Sequence, residues 1–165
     1  LCLMTAQIAN GGYKIYPHIV AGDEAKNKPD DYYTPLYENS KNMRIIKDAM
    51  FGSTNEVMGT SYRSRIDDPE YQFAGKTGTA QVKKITERER ELDLKTFEIP
   101  YEQRDHALYI AFGPYKNPRY ALSVIVEHGG NGSTTAAPMA TKLFKLIIDR
   151  HKIREAMNDK KYLEI

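Results

Sequence analysis

The sequence has no tryptophan, a single cysteine and no long apolar run. With Cys2 alone, no disulfide can form within the chain, and a thiolate metal cage would need ligands from elsewhere. No stretch approaches the roughly 20 apolar residues that span a bilayer, and the first residues do not read as a basic, then apolar, then small-residue leader. Charge of one sign is scarce too: 24 Lys and Arg against 22 Asp and Glu leave a formal net charge of +2. That balance builds no field to recruit nucleic acid or an anionic membrane.

What is present is globular composition. Hydrophobic residues make up 41% and charged residues 28% of 165 positions, enough for one domain with one core. The chain opens on Leu1 inside an apolar pattern (Leu1, Leu3, Met4, Ile8) with no capping residue before it, so it is expected to be cut from a larger protein.

Periodicity and punctuation predict the elements. A short helix over Leu1–Ala9 ends at Asn10-Gly11-Gly12, and Tyr13, Ile15 and Pro17-His18-Ile19-Val20 follow as an extended connector. The polar stretch 21–39, with Gly22, Pro29 and Pro35, reads as a surface excursion. Asn39 or Ser40 caps a helix whose core stripe is Met43, Ile46 and Met50, flanked by Ile45 and Ala49, ending near Gly52. Residues 53–64 form a turn-rich connection, and a strand spans Tyr71–Val82. The charged segment 83–104 is a solvated insertion in which Glu87-Arg88-Glu89-Arg90-Glu91 supports an exposed helical turn. Ala107–Phe112 and Tyr120–Glu127, joined by Gly113-Pro114-Tyr115-Lys116-Asn117-Pro118, form an antiparallel hairpin. Ser133 or Thr134 then caps a helix to about His151, with Ala137, Ala140, Leu143, Phe144, Ile147 and Ile148 facing the sheet. The charged tail 152–165 is a helical extension or a frayed end.

One triplet carries chemistry. Strand alternation puts Lys76 and Gly78 on one face, where the Lys76 ammonium can hold a carboxylate or shift a serine's proton equilibrium, and Thr77 offers its hydroxyl at the rim. Gly78 leaves room for an approaching acyl group, and the exposed Thr79 N–H can meet a carbonyl oxygen that turns negative during attack. Lys-Thr-Gly on its own is also what an ordinary exposed edge strand could show.

The surroundings raise its meaning. Ala74-Gly75-Lys76-Thr77-Gly78-Thr79-Ala80-Gln81 resembles the third-strand signature of the penicillin-binding transpeptidases, one of three motifs shared with serine β-lactamases. Residues 3–12 resemble the family's preceding helix and loop. Residues 106–115 and 120–130 resemble its fourth and fifth strands, and 136–140 the start of its closing helix. The resemblance covers about residues 1–150, and Arg104-Asp105-His106 before the fourth strand is most similar to the class B penicillin-binding protein 2 group.

The resemblance implies an α/β (α+β) fold, the C-terminal part of a transpeptidase or β-lactamase-like domain with an antiparallel sheet covered by helices. Residues 1–151 would supply that part and 152–165 a tail. It implies a serine that attacks the penultimate D-Ala carbonyl of a peptidoglycan stem peptide and is acylated by β-lactams. Lys76, Thr77 and Gly78 would line the carboxylate and substrate wall, and the Thr79 N–H would be half of the oxyanion hole. It implies no metal or organic cofactor, cell-wall elongation proteins as partners, the remaining N-terminal part of the same protein, and a parent anchored in the bacterial inner membrane facing the periplasm.

The pattern is incomplete. Ser40, Ser53, Ser61, Ser64, Ser123 and Ser133 all lack a lysine three places on, so the Ser-x-x-Lys nucleophile is absent and the chain alone is expected to be inactive. Only Ser40-Lys41-Asn42 and Ser53-Thr54-Asn55 match the letters of the family's middle motif, and neither stands where that motif belongs. His18, His106, His128 and His151 are too scattered for a ligand set, and Tyr32, Tyr33 and Tyr37 read as covers for apolar patches. Glu127-His128-Gly129-Gly130 reads as a strand terminator or a groove-shaping element. A serine β-lactamase or β-lactam sensor, and a non-catalytic partner-binding domain, are the alternative readings.

Overall fold

The computed structural model describes residues 1–20, 29–84 and 94–163, with side chains as far as Met157. Three antiparallel strands, β1 (Ala74–Ala80), β2 (His106–Gly113) and β3 (Tyr120–Val126), pair in the order β1-β2-β3. Helices α1 (Cys2–Ala9) and α2 (Ser40–Asn55) cover one face of this sheet, and α3 (Ala137–Leu163) covers the other. The predicted hairpin is in register from Ala107↔Val126 to Gly113↔Tyr120, and the Lys-Thr-Gly strand pairs Lys76↔Ile110 and Thr77↔Tyr109.

Alternation along the strands splits the core in two. On the α3 side, Phe73, Ala107, Tyr109 and Ala111 pack against Ala137, Ala140, Phe144 and Ile148. Phe73 and Phe144 stack at 4.9 Å. On the other side a smaller cluster joins Ala9, Met50, Ala74 and Phe112. Of the stripe expected on α3, Leu143 stays exposed, because the α3 face that meets the sheet is narrow: Ala137, Ala140, Phe144 and Ile148 fill it.

Three boundaries differ from those read in the sequence. Helix α2 is capped by Asn39, whose side chain accepts from Lys41 N, but it runs to Asn55 rather than stopping near Gly52. Its last turn is held from outside: Asn55 Nδ2 donates to Phe73 O at 2.9 Å, and Thr54 Oγ1 lies 3.0 Å from Tyr109 Oη. Gly52 sits inside the helix and poses no barrier. The start of the closing helix is capped by Asn131, not by Ser133 or Thr134. Asn131 Oδ1 accepts from Ser133 N at 2.8 Å and leads into a π-helical turn over Gly132–Ala136. Gly132 sets this: a Cβ there would stand 2.5 Å from Gly78 O and from Leu108 O, so only glycine lets the turn begin flat against the strands.

Helix α3 then continues unbroken past His151 to Leu163. His151 Nδ1 lies 2.7 Å from Tyr120 Oη, Glu155 takes hydrogen bonds from Arg119 and His151, and Lys152 donates to Glu70 at 2.6 Å. The extension reading of residues 152–163 therefore holds. Part of the excursion, 21–28, and the charged run at 87–91 lie outside the described residues. Among the described residues the connector after α1 forms one isolated antiparallel bridge, Tyr13↔Pro35. Of the loop tyrosines, Tyr32 and Tyr33 meet edge to face at 4.5 Å, while Tyr37 packs on Tyr13.

Candidate active site

Strand β1 is an edge: among the described residues its one partner is β2, which leaves alternate N–H and C=O groups directed at open space. The predicted site residues all lie on it. Lys76 and Thr79 are exposed and Thr77 and Gly78 half-buried, in the order in which a chain laid along the edge would meet them. Lys76 Nζ curls over the strand and donates to Thr77 O at 2.9 Å and to Thr77 Oγ1 at 3.3 Å, which brings the cation and the hydroxyl to one point. Alternation alone would place these two side chains on opposite faces, and the long lysine stem overcomes that.

Beside Lys76 runs a groove of about 940 Å³ between β1, α2 and the loop after α2, lined among others by Ile46, Met58, Thr60, Lys76 and Ile110. The predicted stripe of α2 therefore divides. Met50 is buried against the sheet, whereas Ile45 and Ile46 present 65% and 41% of their surface, because this side of the helix faces the groove rather than the core. At the opposite end of β1 a second cavity of about 220 Å³ lies by Thr79, bounded by Lys83, Arg104, Asp105 and Asn131. The turn 127–130 shapes it. His128 takes a positive φ of 54° after β3, and Gly130 N donates to Asp105 O at 2.8 Å, so Gly130 stands in the cavity wall.

A polar layer behind β1 was missed by the sequence reading. Tyr109, 1% exposed, crosses under Gly75 and reaches Ser61 Oγ and Thr54 Oγ1, each at 3.0 Å. Ser61 gives its hydrogen to Ser53 O and Thr54 gives its own to Met50 O, so the single phenol hydrogen serves these two hydroxyl oxygens. Burial pushes the phenol pKa up. Gly75 is required here, since a Cβ at that position would overlap Tyr109 Oη and Cζ. On the outer side Ser53 Oγ lies 3.1 Å from Thr60 Oγ1, which lies 3.2 Å from Thr77 Oγ1. Ser53, Thr54 and Asn55 thus make three consecutive contacts: Ser53 with Thr60, Thr54 with Tyr109 on β2, and Asn55 with Phe73 O just before β1. The available signal was the hydroxyl density from Ser53 to Ser64; what it lacked was a partner. Tyr109→Phe is expected to cost about 1–2 kcal/mol by leaving Thr54 and Ser61 under-bonded, and urea unfolding measures it.

The histidines are less scattered than their numbers suggest. His106 and His128 meet with rings 4.8 Å apart, His128 N donating to His106 Nδ1 and His128 Nδ1 reaching Arg104 O. These bonds fasten the β3 turn to the start of β2. Among the described residues no group of three or more His, Cys, Asp or Glu is placed to hold a metal ion.

Comparison with known proteins gives one answer. The family described as penicillin binding protein transpeptidase domain matches residues 1–147. The peptidoglycan D,D-transpeptidase MrdA of Salmonella typhimurium is 34% identical over 148 residues, covering 86% of this chain and 23% of that protein. The Escherichia coli MrdA is 31% identical over 147 residues, covering 86% and 22%. Among solved structures, Helicobacter pylori PBP2 in complex with MreC superposes with a TM-score of 0.71 at 28% identity, over 90% of this chain and 24% of that one. Pseudomonas aeruginosa PBP2 in complex with WCK 5153 gives 0.66 at 30% identity, over 87% and 28%. The chain spans about a quarter of the length of the relatives it matches.

Proposed function

The chain belongs to the penicillin-binding protein transpeptidase family, on its penicillin-binding protein 2 side, and from that premise we propose that it forms the carboxylate-binding wall of a peptidoglycan D,D-transpeptidase site. One observation carries the reading: Lys76 Nζ and Thr77 Oγ1 converge on the open edge of β1 beside a groove. A stem peptide laid along that edge places its terminal D-Ala carboxylate against the ammonium and the hydroxyl, and no side chain at Gly78 obstructs it. The Thr79 N–H faces the penultimate carbonyl as one oxyanion donor.

The nucleophilic serine and its lysine belong to a part of the same protein outside these 165 residues, since no Ser-x-x-Lys occurs in them. The exposed apolar wall formed by Ile45, Ile46 and Met58 suits the packing of that part. The serine Oγ bonds to the penultimate D-Ala carbonyl carbon, the terminal peptide bond breaks, and D-Ala leaves as the free amine. An amine from a neighbouring strand then displaces the serine. β-Lactams acylate the same serine through ring opening. The full-length protein works at the periplasmic face of the inner membrane with cell-elongation proteins; the solved complex of Helicobacter pylori PBP2 with MreC supports a protein partner. Among the described residues no helix is long and apolar enough to cross a membrane.

Lys76→Gln in the full-length protein tests the assignment. Losing a charge-assisted contact worth about 3 kcal/mol slows acylation by labelled penicillin about a hundredfold. An unchanged rate would remove Lys76 from the carboxylate site.

A further inference from the structure

The loop after α2 carries a hydroxyl that the wall described above does not use. Thr60 Oγ1 lies 3.2 Å from Thr77 Oγ1 and 3.1 Å from Ser53 Oγ, forming a line from the last turn of α2 to the rim of the groove. Thr60 is exposed, so its side chain is not there to fill a core. Its place is nevertheless tightly set. Gly59 N donates to Glu56 O at 2.8 Å, Ser61 N to Ser53 O at 3.0 Å and Tyr62 N to Gly59 O at 3.1 Å. A Cβ on Gly59 would stand 2.5 Å from Gly52 O and overlap Ser53 O, so glycine lets the loop lie directly on the end of the helix.

Donor and acceptor capacities then decide what the line does. A threonine hydroxyl has one hydrogen and two lone pairs, and an ammonium only donates. Lys76 Nζ fills one lone pair of Thr77 Oγ1. If Thr77 spent its hydrogen on Thr60, none would remain for a substrate. An ionised carboxylate only accepts, so its arrival selects the opposite direction: Ser53 donates to Thr60, Thr60 to Thr77, and Thr77 to the carboxylate.

We propose that Thr60 is a positioning residue for acylation, whose hydroxyl fills the second lone pair of Thr77 Oγ1 and aims the single Thr77 hydrogen at the substrate carboxylate. This rests on the assignment of Lys76-Thr77-Gly78 as the carboxylate wall.

The experiment follows the second-order acylation rate of the full-length protein with labelled penicillin. Thr60→Val, which keeps the shape and drops the hydroxyl, is expected to slow it about tenfold, and Thr60→Ser to restore most of the loss. Adding Thr60→Val to Thr77→Val should slow the reaction no further, because the two act through one hydrogen. With the carboxylate of the β-lactam blocked as a methyl ester, wild type and Thr60→Val should react at equal rates, which a general disturbance of the loop would not produce. A Thr60→Val rate equal to wild type, beside a slow Thr77→Val, overturns the positioning role and leaves the wall intact. Equal rates for wild type and Thr77→Val overturn both.

Discussion

Labelled penicillin is expected to leave the 165-residue chain unmodified at any practical concentration, while the full-length protein takes up one covalent label per molecule. Acylation needs a serine whose proton a neighbouring base removes as the bond forms. The sequence offers six serines and no lysine three places after any of them. In the structure several are committed elsewhere: Ser61 and Ser64 are buried, Ser61 donates to Ser53 O, and Ser133 Oγ donates to Asn131 Oδ1. The wall proposed for Lys76 and Thr77 would attract the β-lactam carboxylate, but attraction without a nucleophile yields no bond. Intact-mass spectrometry of both proteins after incubation decides it. Stoichiometric label on the short chain would show that one of its own residues is the nucleophile. An unlabelled full-length protein would remove the transpeptidase assignment itself.

Gly75→Ala should strongly destabilise the fold. The added Cβ would overlap the oxygen of Tyr109, whose side chain is fully buried in the core cluster that includes Phe73, Ala107 and Ala111. Overpacking of this kind costs about 1–3 kcal/mol, and forcing the phenol off Ser61 and Thr54 adds about 1–2 kcal/mol. The sum approaches half of the roughly 5–15 kcal/mol by which a domain is stable. A large fall in the unfolding midpoint is expected, together with slower acylation, since β1 must move. The control is Gly75→Ala combined with Tyr109→Val. Removing the ring opens the space, so the pair should cost clearly less than the two single changes added together. Simple additivity would mean that the ring is not what Gly75 accommodates.

Both expectations depend on how far local sequence reaches. The hairpin was legible because Ala107–Phe112 and Tyr120–Glu127 are runs suited to a pleated surface, and the turn formers between them set their register. The Lys76-Thr77-Gly78 strand was legible because eight consecutive residues carry a signature. The end of α2 was not, because Asn55 is held by Phe73 O and Thr54 by Tyr109, partners 18 and 55 residues away. The cap of α3 was misplaced for a similar reason: the contact of Gly132 with Gly78 and Leu108 starts the turn at Asn131, whereas Ser133 and Thr134 are equally good caps by residue type.

The site shows the same division. Residue identity determined which groups could bind a carboxylate and that no Ser-x-x-Lys was present, since charge, hydroxyl and the lack of a side chain belong to single residues. Only the tertiary structure decided that Lys76 curls onto Thr77, that Thr60 and Ser53 stand behind that hydroxyl, and that Tyr109 passes beneath Gly75. Hydrogen bonds and close packing act over about 3–4 Å in space, and the chain brings residues to that distance only after the sheet and its covering helices have assembled.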